Sequence, residues 1–171
     1  MKKILMTIAA AFVAVTMSAQ VYVGGSLGFG VTSYQAEGQD SETTFSILPE
    51  IGYNLDDNLA IGASFGINHL GEDATAWVVN PYARYTFAKF DCVSLFVDGG
   101  LEFETMKDAY TDFGVGFKPG IAVTLTDKIS FVSHVGFLGF RENNPAGDNN
   151  NVTRFGLDLD NGLEFGLYFN F

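Results

Sequence analysis

The side chains able to do chemistry are few and spread along the whole chain. Glu50, Arg84, Asp98, Glu102, Glu104, Lys118, His134 and Glu164 sit at alternate positions of otherwise apolar stretches, and so do Arg154, Asp158 and Asp160. If the alternate positions share one enclosed face, these charges must find partners, because an unpaired ion in a narrow interior is strongly disfavoured. Glu50 with Arg84, and Lys118 with Glu102, are the pairings expected of such a plug. The competing use of the same residues is a narrow, charge-selective path for small solutes.

Catalytic readings are thinner. Gly62-Ala63-Ser64-Phe65-Gly66 matches the G-x-S-x-G nucleophile pattern, which needs a sharp strand-to-helix turn. Here it lies inside an alternating stretch with no helix after it. Ser133 and His134 are adjacent and so point to opposite faces of a strand. Ser130 and His134 share a face but have no carboxylate nearby in sequence to orient the imidazole, so a lipid-modifying enzyme is the least supported reading. Asp158-Leu159-Asp160-Asn161-Gly162 echoes the start of a calcium loop without its later ligands. His69 and His134 are too far apart in sequence to suggest a metal site, and Asn151-Val152-Thr153 fits a glycosylation sequon. No catalytic, cofactor or metal role is expected. Cys92 is the single cysteine, so no intrachain disulfide can form.

The elements that position these residues have a period of two. Eight stretches alternate apolar with polar or small residues: 21–34, 44–55, 59–69, 76–87, 92–106, 113–125, 129–140 and 153–171. The connections alternate too, with polar loops at 35–43, 70–75, 107–112 and 141–151, and short turns at 56–58, 88–91 and 126–128. The stretch 129–140 is the least regular, since Val132, Leu138 and Phe140 fall on its polar side. The pattern predicts an all-β, eight-stranded antiparallel up-and-down barrel, with strands of the length needed to cross a bilayer at a tilt.

Composition decides which face is inside. Most of the 20 Gly lie on the polar side of the strands, while Leu, Val and many of the 17 Phe take the other. An eight-stranded barrel is only wide enough for side chains to fill it. The crowded face should therefore mix Gly with a few long residues, which describes the polar one. Pro49, Pro81 and Pro119 each fall inside a strand, on its outward side and about seven residues before a short turn, which marks three related hairpins.

Residues 1–19 read as a cleavable secretory leader, with Lys2 and Lys3, an apolar run from Ile4 to Val15, and Met17-Ser18-Ala19 before the cut. Residues 20–171 then form the barrel domain. The formal net charge of −11, or −13 once Lys2 and Lys3 leave with the leader, argues against nucleic acid as a partner.

The units Leu48-Pro49-Glu50-Ile51-Gly52-Tyr53, Asn80-Pro81-Tyr82-Ala83-Arg84-Tyr85 and Lys118-Pro119-Gly120-Ile121 precede a last strand ending in Phe169-Asn170-Phe171. Together they resemble the small outer-membrane β-barrel domains of Bacteroidetes, grouped with OmpX-like and OmpA-barrel-like proteins. The resemblance implies a Gram-negative outer-membrane location and an assembly signal in Phe169 and Phe171 read by the barrel-assembly machinery. It also implies passage with periplasmic chaperones, contact with membrane lipid and lipopolysaccharide, and a monomer. The expected role is a non-enzymatic structural or surface protein of the envelope.

Overall fold

The computed structural model describes residues 20–32, 42–69, 74–146 and 152–171. The expected leader, 1–19, lies outside the described residues. Eight strands follow one another: β1 (Val21–Thr32), β2 (Glu42–Asn54), β3 (Leu59–His69), β4 (Thr75–Lys89), β5 (Val93–Met106), β6 (Tyr110–Thr126), β7 (Ile129–Pro145) and β8 (Val152–Asn170). Each pairs antiparallel with its neighbours in sequence, and β8 returns to β1, so the sheet closes into a barrel in chain order.

The alternation in the sequence becomes the two faces of this wall. Phe65, Trp77, Phe117 and Leu167 are exposed on the outside, while Tyr22, Ala60, Phe96, Val132 and Tyr168 form a buried cluster inside, with Tyr82 and Ala122 packed on it. The apolar face is thus the outer one. Its ends carry aromatic residues: Phe45, Trp77 and Phe103 toward the long loops, and Tyr53, Tyr85, Phe87 and Phe90 toward the short turns. Such paired aromatic girdles flank the lipid-facing band of membrane barrels.

Glycine makes room for the inner aromatics. A Cβ at Gly52 would lie 2.0 Å from Tyr22 Cζ, and one at Gly120 would lie 2.3 Å from Phe96 Cζ. The rings therefore lie flat over bare backbone of the neighbouring strand.

The three prolines face outward, and each leaves a gap in the ladder to the following strand; at the third the register also shifts by one residue. Gly25↔Pro49, Ala63↔Pro81 and Val97↔Pro119 are paired within the β1–β2, β3–β4 and β5–β6 hairpins. Pairing with the following strand skips Leu48 and Pro49, Asn80 and Pro81, and Lys118 and Pro119. A proline has no N–H to give to that side. At the second gap Phe103 N–H donates instead to Asn80 Oδ1 at 3.3 Å.

Two expectations are corrected. The loop expected at 107–112 is a tight turn, Lys107 to Ala109, and β7 runs on to Pro145 where a loop from 141 was expected. The ladder continues through Glu104↔Asp112, Thr105↔Thr111 and Met106↔Tyr110, and through Arg141↔Gly114 to Pro145↔Tyr110. Polar side chains on both faces do not end a strand where neither face needs an apolar environment. Asp108 turns the chain with φ 60°, a left-handed conformation that Asp tolerates better than most residues.

A third correction concerns the two faces of β7. Val132 and His134 point inward, but Gly136 adopts φ 71°, and the three residues Val135 to Phe137 stand opposite only Lys118 and Pro119 of β6. One extra residue exchanges the two faces of a strand. Beyond the bulge Phe137 is buried inside and Leu138 is exposed outside. The irregular pattern of 129–140 is therefore two regular halves joined at Gly136.

Candidate functional site: a layered charge network in the lumen

The inward charges form layers along the barrel axis. In the first, near the short turns, Arg84 of β4 is opposite Asp98 of β5 in register. Arg84 Nε and Nη2 donate to the two Asp98 carboxylate oxygens, each at 2.7 Å. This is the bidentate geometry in which guanidinium and carboxylate bind most strongly. Glu50 Oε1 lies 3.7 Å from Arg84 Nη2, and His134 Nε2 is 2.8 Å from Asp98 Oδ2. Glu50 also accepts hydrogen bonds from the Tyr82 hydroxyl and, at 2.6 Å, from the Tyr168 hydroxyl. The Tyr22 and Tyr82 hydroxyls are 2.6 Å apart.

Aromatic rings enclose the guanidinium. Arg84 Cζ lies 4.1 Å from the Phe96 ring centroid, 5.1 Å from that of Tyr82 and 5.3 Å from that of Tyr168. At these separations each ring adds a cation–π attraction. Arg84, Glu50, Asp98 and His134 are all buried, and no buried side-chain polar atom among the described residues lacks a partner. The layer is a continuous, fully bonded plug.

The second layer lies toward the loops. Lys118 Nζ is 2.7 Å from Glu102 Oε1 and 3.3 Å from Glu164 Oε1. Arg141 Nε donates to Glu102 Oε2 at 2.9 Å, and its guanidinium lies 4.1 Å above the Phe137 ring. The third layer is held by neutral donors. Asn68 Nδ2 donates to Glu104 Oε2 at 2.8 Å and Tyr110 to Glu104 Oε1, while Asn143 donates to Asp112.

Two cavities separate the layers. One of about 50 Å³ lies between the first and second and is lined by Glu50, Ser64, Asp98, Lys118, His134 and Phe137 among others. The other, about 210 Å³, opens toward the loops and is lined by Leu48, Val78, Glu104, Asp112 and Arg141 among others. Glu102, Lys118 and Glu164 line both. Below the smaller cavity the aromatic cluster and Arg84 fill the lumen.

Both pairings expected from sequence are present in this geometry, Glu50 with Arg84 and Lys118 with Glu102. Arg154 is exposed, and the side chains of Asp158 and Asp160 lie outside the described residues. Sequence reasoning did not put Tyr22, Tyr82, Phe96 and Tyr168 in the site. Their signal was available, since they are the bulky residues on the glycine-rich face. Arg141 and Phe137 were hidden by the bulge. Ser64 sits in the middle of β3, opposite Glu50 and Asn80, and not on an elbow. Ser130 receives a hydrogen bond from Asn170 at 3.2 Å while His134 bonds Asp98. Phe169 and Phe171 face outward at the short-turn end.

No curated protein matches the chain in sequence. Its fold is similar to that of Neisserial surface protein A, with TM-score 0.54, 19% identity, and coverage of 90% of this chain and 98% of that one. It is also similar to the N-terminal β-barrel domain of Pseudomonas aeruginosa OprF, with TM-score 0.53, 13% identity, and coverage of 90% and 98%. The family model described as outer membrane protein beta-barrel domain matches residues 4–171. With its closed eight-stranded wall, its apolar outer face and a family match spanning nearly its whole length, the chain belongs to the outer-membrane β-barrel domain family.

Proposed function

We propose that this protein is a closed, non-enzymatic barrel of the outer membrane that serves the envelope as a structural or surface-presenting element. The observation that carries this reading is the Arg84 plug. A guanidinium bound by two carboxylates and enclosed by aromatic rings leaves no water column at the short-turn end of the lumen. In the orientation usual for such barrels, the short turns and both chain ends face the periplasm, and the long acidic connections face outside. The leader 1–19, removed after Ala19, would direct export. Phe169 and Phe171 would present the closing strand to the assembly machinery after passage with periplasmic chaperones. The outer face would contact lipid and lipopolysaccharide as a monomer.

Planar-bilayer recording of the folded protein tests the reading. The wild type is expected to show no stepwise conductance, and regular openings in it would overturn the proposal. A second reading, a gated small-solute path, draws on the two stacked cavities, which only the Glu102–Lys118–Glu164 group divides. It requires Arg84 to leave Asp98, so the wild-type recording also decides it. The lipid-modifying alternative predicts that Ser130→Ala changes the lipid composition of the host membrane; under the proposal the composition is unchanged.

A further inference from the structure

The third lumen layer is short of positive charge. Glu104 of β5 and Asp112 of β6 stand directly opposite each other in the ladder, and both line the larger cavity. Like charges so placed repel, and two carboxylates sharing one site favour a proton or a cation between them. Their hydrogen bonds among the described residues come from neutral groups alone. Glu104 accepts from Asn68 and Tyr110, and Asp112 accepts from Asn143. Neither acid has an ion-pair partner among the described residues. The chain has no spare cation to send there, because every Lys, Arg and His beyond Lys3 lies in the described stretches. Lys118 and Arg141 are both bound to Glu102, and Lys118 also to Glu164. Lys107 and Arg154 are exposed, and Arg84 is held in the plug below.

The register sets an apolar wall beside the two acids. Gly66, Val78, Glu104, Asp112 and Asn143 follow one another across β3 to β7 as successive ladder partners. Val78 and Leu48 line the same cavity, and Gly66 between their strands has no side chain to fill it. A Cβ there would lie 1.9 Å from the Ile47 carbonyl oxygen. The cavity measures about 210 Å³, and an apolar one of about 150 Å³ takes a benzene molecule. The space therefore admits a small body with a charged head. A metal ion is a poor match for that head. No three His, Cys, Asp or Glu side chains among the described residues are grouped to hold one, and both Glu104 oxygens already accept a hydrogen bond. An ammonium group has three N–H donors and can give one to each carboxylate.

We propose that the outer lumen cavity binds a small primary amine as its ammonium ion, with the charge between Glu104 and Asp112 and a short apolar body against Val78 and Leu48. The ammonium supplies the charge that the third layer lacks, and its bonds to the two acids are of the strong, charge-assisted kind. The cavity opens toward the loops and lies above the Arg84 plug. Binding needs no path across the barrel, so it is decided separately from conductance.

The test uses the full barrel folded in phosphatidylcholine vesicles, with benzylamine as the probe, and calorimetry read against protein-free vesicles. Saturable binding to a single site is expected, with benzyl alcohol, a neutral analogue of the same shape, bound about tenfold more weakly or less. Glu104→Gln combined with Asp112→Asn removes both charges and keeps acceptors for Asn68, Tyr110 and Asn143. It is expected to weaken benzylamine binding by about a hundredfold, about tenfold for each charged partner lost. Asp108→Asn removes an exposed acid at the same end but outside the cavity, and is expected to leave binding unchanged. Leu48→Trp fills the cavity, keeps both carboxylates and is expected to abolish binding; it decides the matter if the double variant does not fold. Folding of each variant is checked by its heat-dependent gel mobility. Benzylamine bound no more tightly than benzyl alcohol would overturn the proposal. An equal loss in Asp108→Asn would mean attraction by the overall negative charge, and displacement by an equal concentration of calcium would mean a metal site; either result overturns it too.

Discussion

Arg84 is held by Asp98 and Glu50, and each of those carboxylates depends on it in turn. Arg84→Met would leave two buried carboxylates without their cation. Breaking a buried pair from one side costs about 3–5 kcal/mol, so urea unfolding in vesicles should shift markedly toward lower denaturant. Arg84→Met combined with Asp98→Leu should recover part of the loss, since the second change removes one stranded charge. If the single variant unfolds like the wild type, the plug contributes nothing to stability. At the β2–β3 turn, Asp56 Oδ1 accepts from the N–H groups of Asn58 and Leu59 at 2.7 and 2.8 Å. These two hydrogen bonds hold its carboxyl below the ordinary aspartate value of 3.8. The contribution is therefore complete above 3.8 and is lost as pH falls through the lower folded value. Exchange of the Asn58 and Leu59 amides should quicken over that range, and Asp56→Asn should remove the pH dependence. The carboxylates and cations of the plug could be named from sequence because charge on a glycine-rich face must be paired. The enclosing rings could not be assigned to Arg84, because which strands lie across a lumen depends on barrel shear and not on local pattern.

At the scale of the element, β7 shows where period-two reading fails and why. A strand with one inserted residue reads as noise when scored as a whole, yet each half alternates cleanly on either side of Gly136. Deleting Gly136 would remove the extra residue and restore continuous alternation while leaving Phe137 and Arg141 inside and Leu138 and Phe140 outside. The deletion variant is expected to keep an SDS-resistant folded band, whereas Gly136→Val, which puts a β-branched residue at φ 71°, should weaken it. Loss of the band on deletion would mean that the bulge itself, and not only the faces it sets, is needed for closure. The extra length of β6 and β7 was illegible for a different reason. Sequences such as Thr111-Asp112 or Glu142-Asn143-Asn144 have no apolar side, and only the neighbouring strand shows that they continue a ladder. The strands whose outward faces are uniformly apolar, such as β3 and β4, were bounded to within one or two residues.

For the whole molecule, a wall of eight strands closed in chain order predicts that the folded chain migrates differently in SDS gels before and after boiling. Closure removes the edges at which detergent-driven unfolding starts. Unchanged mobility in a preparation extracted from membranes would contradict a closed barrel. The architecture was legible because an outward apolar face recurs from strand to strand. The length of the β1–β8 joint, five pairs from Tyr22↔Asn170 to Ser26↔Gly166, was not, since nothing in the residues of β1 or β8 alone states how far the two ends overlap. The prolines carry one more consequence, and it concerns time. Each leaves its own hairpin continuous and breaks the joint to the next, so contacts close in sequence are complete while those between hairpins are interrupted at one height. Local pairings form before distant ones because less chain entropy is lost in making them. The wall should accordingly assemble as prefabricated two-strand staves, with the interrupted joints zipping later and the five-pair junction of first and last strands locking the cylinder at the end.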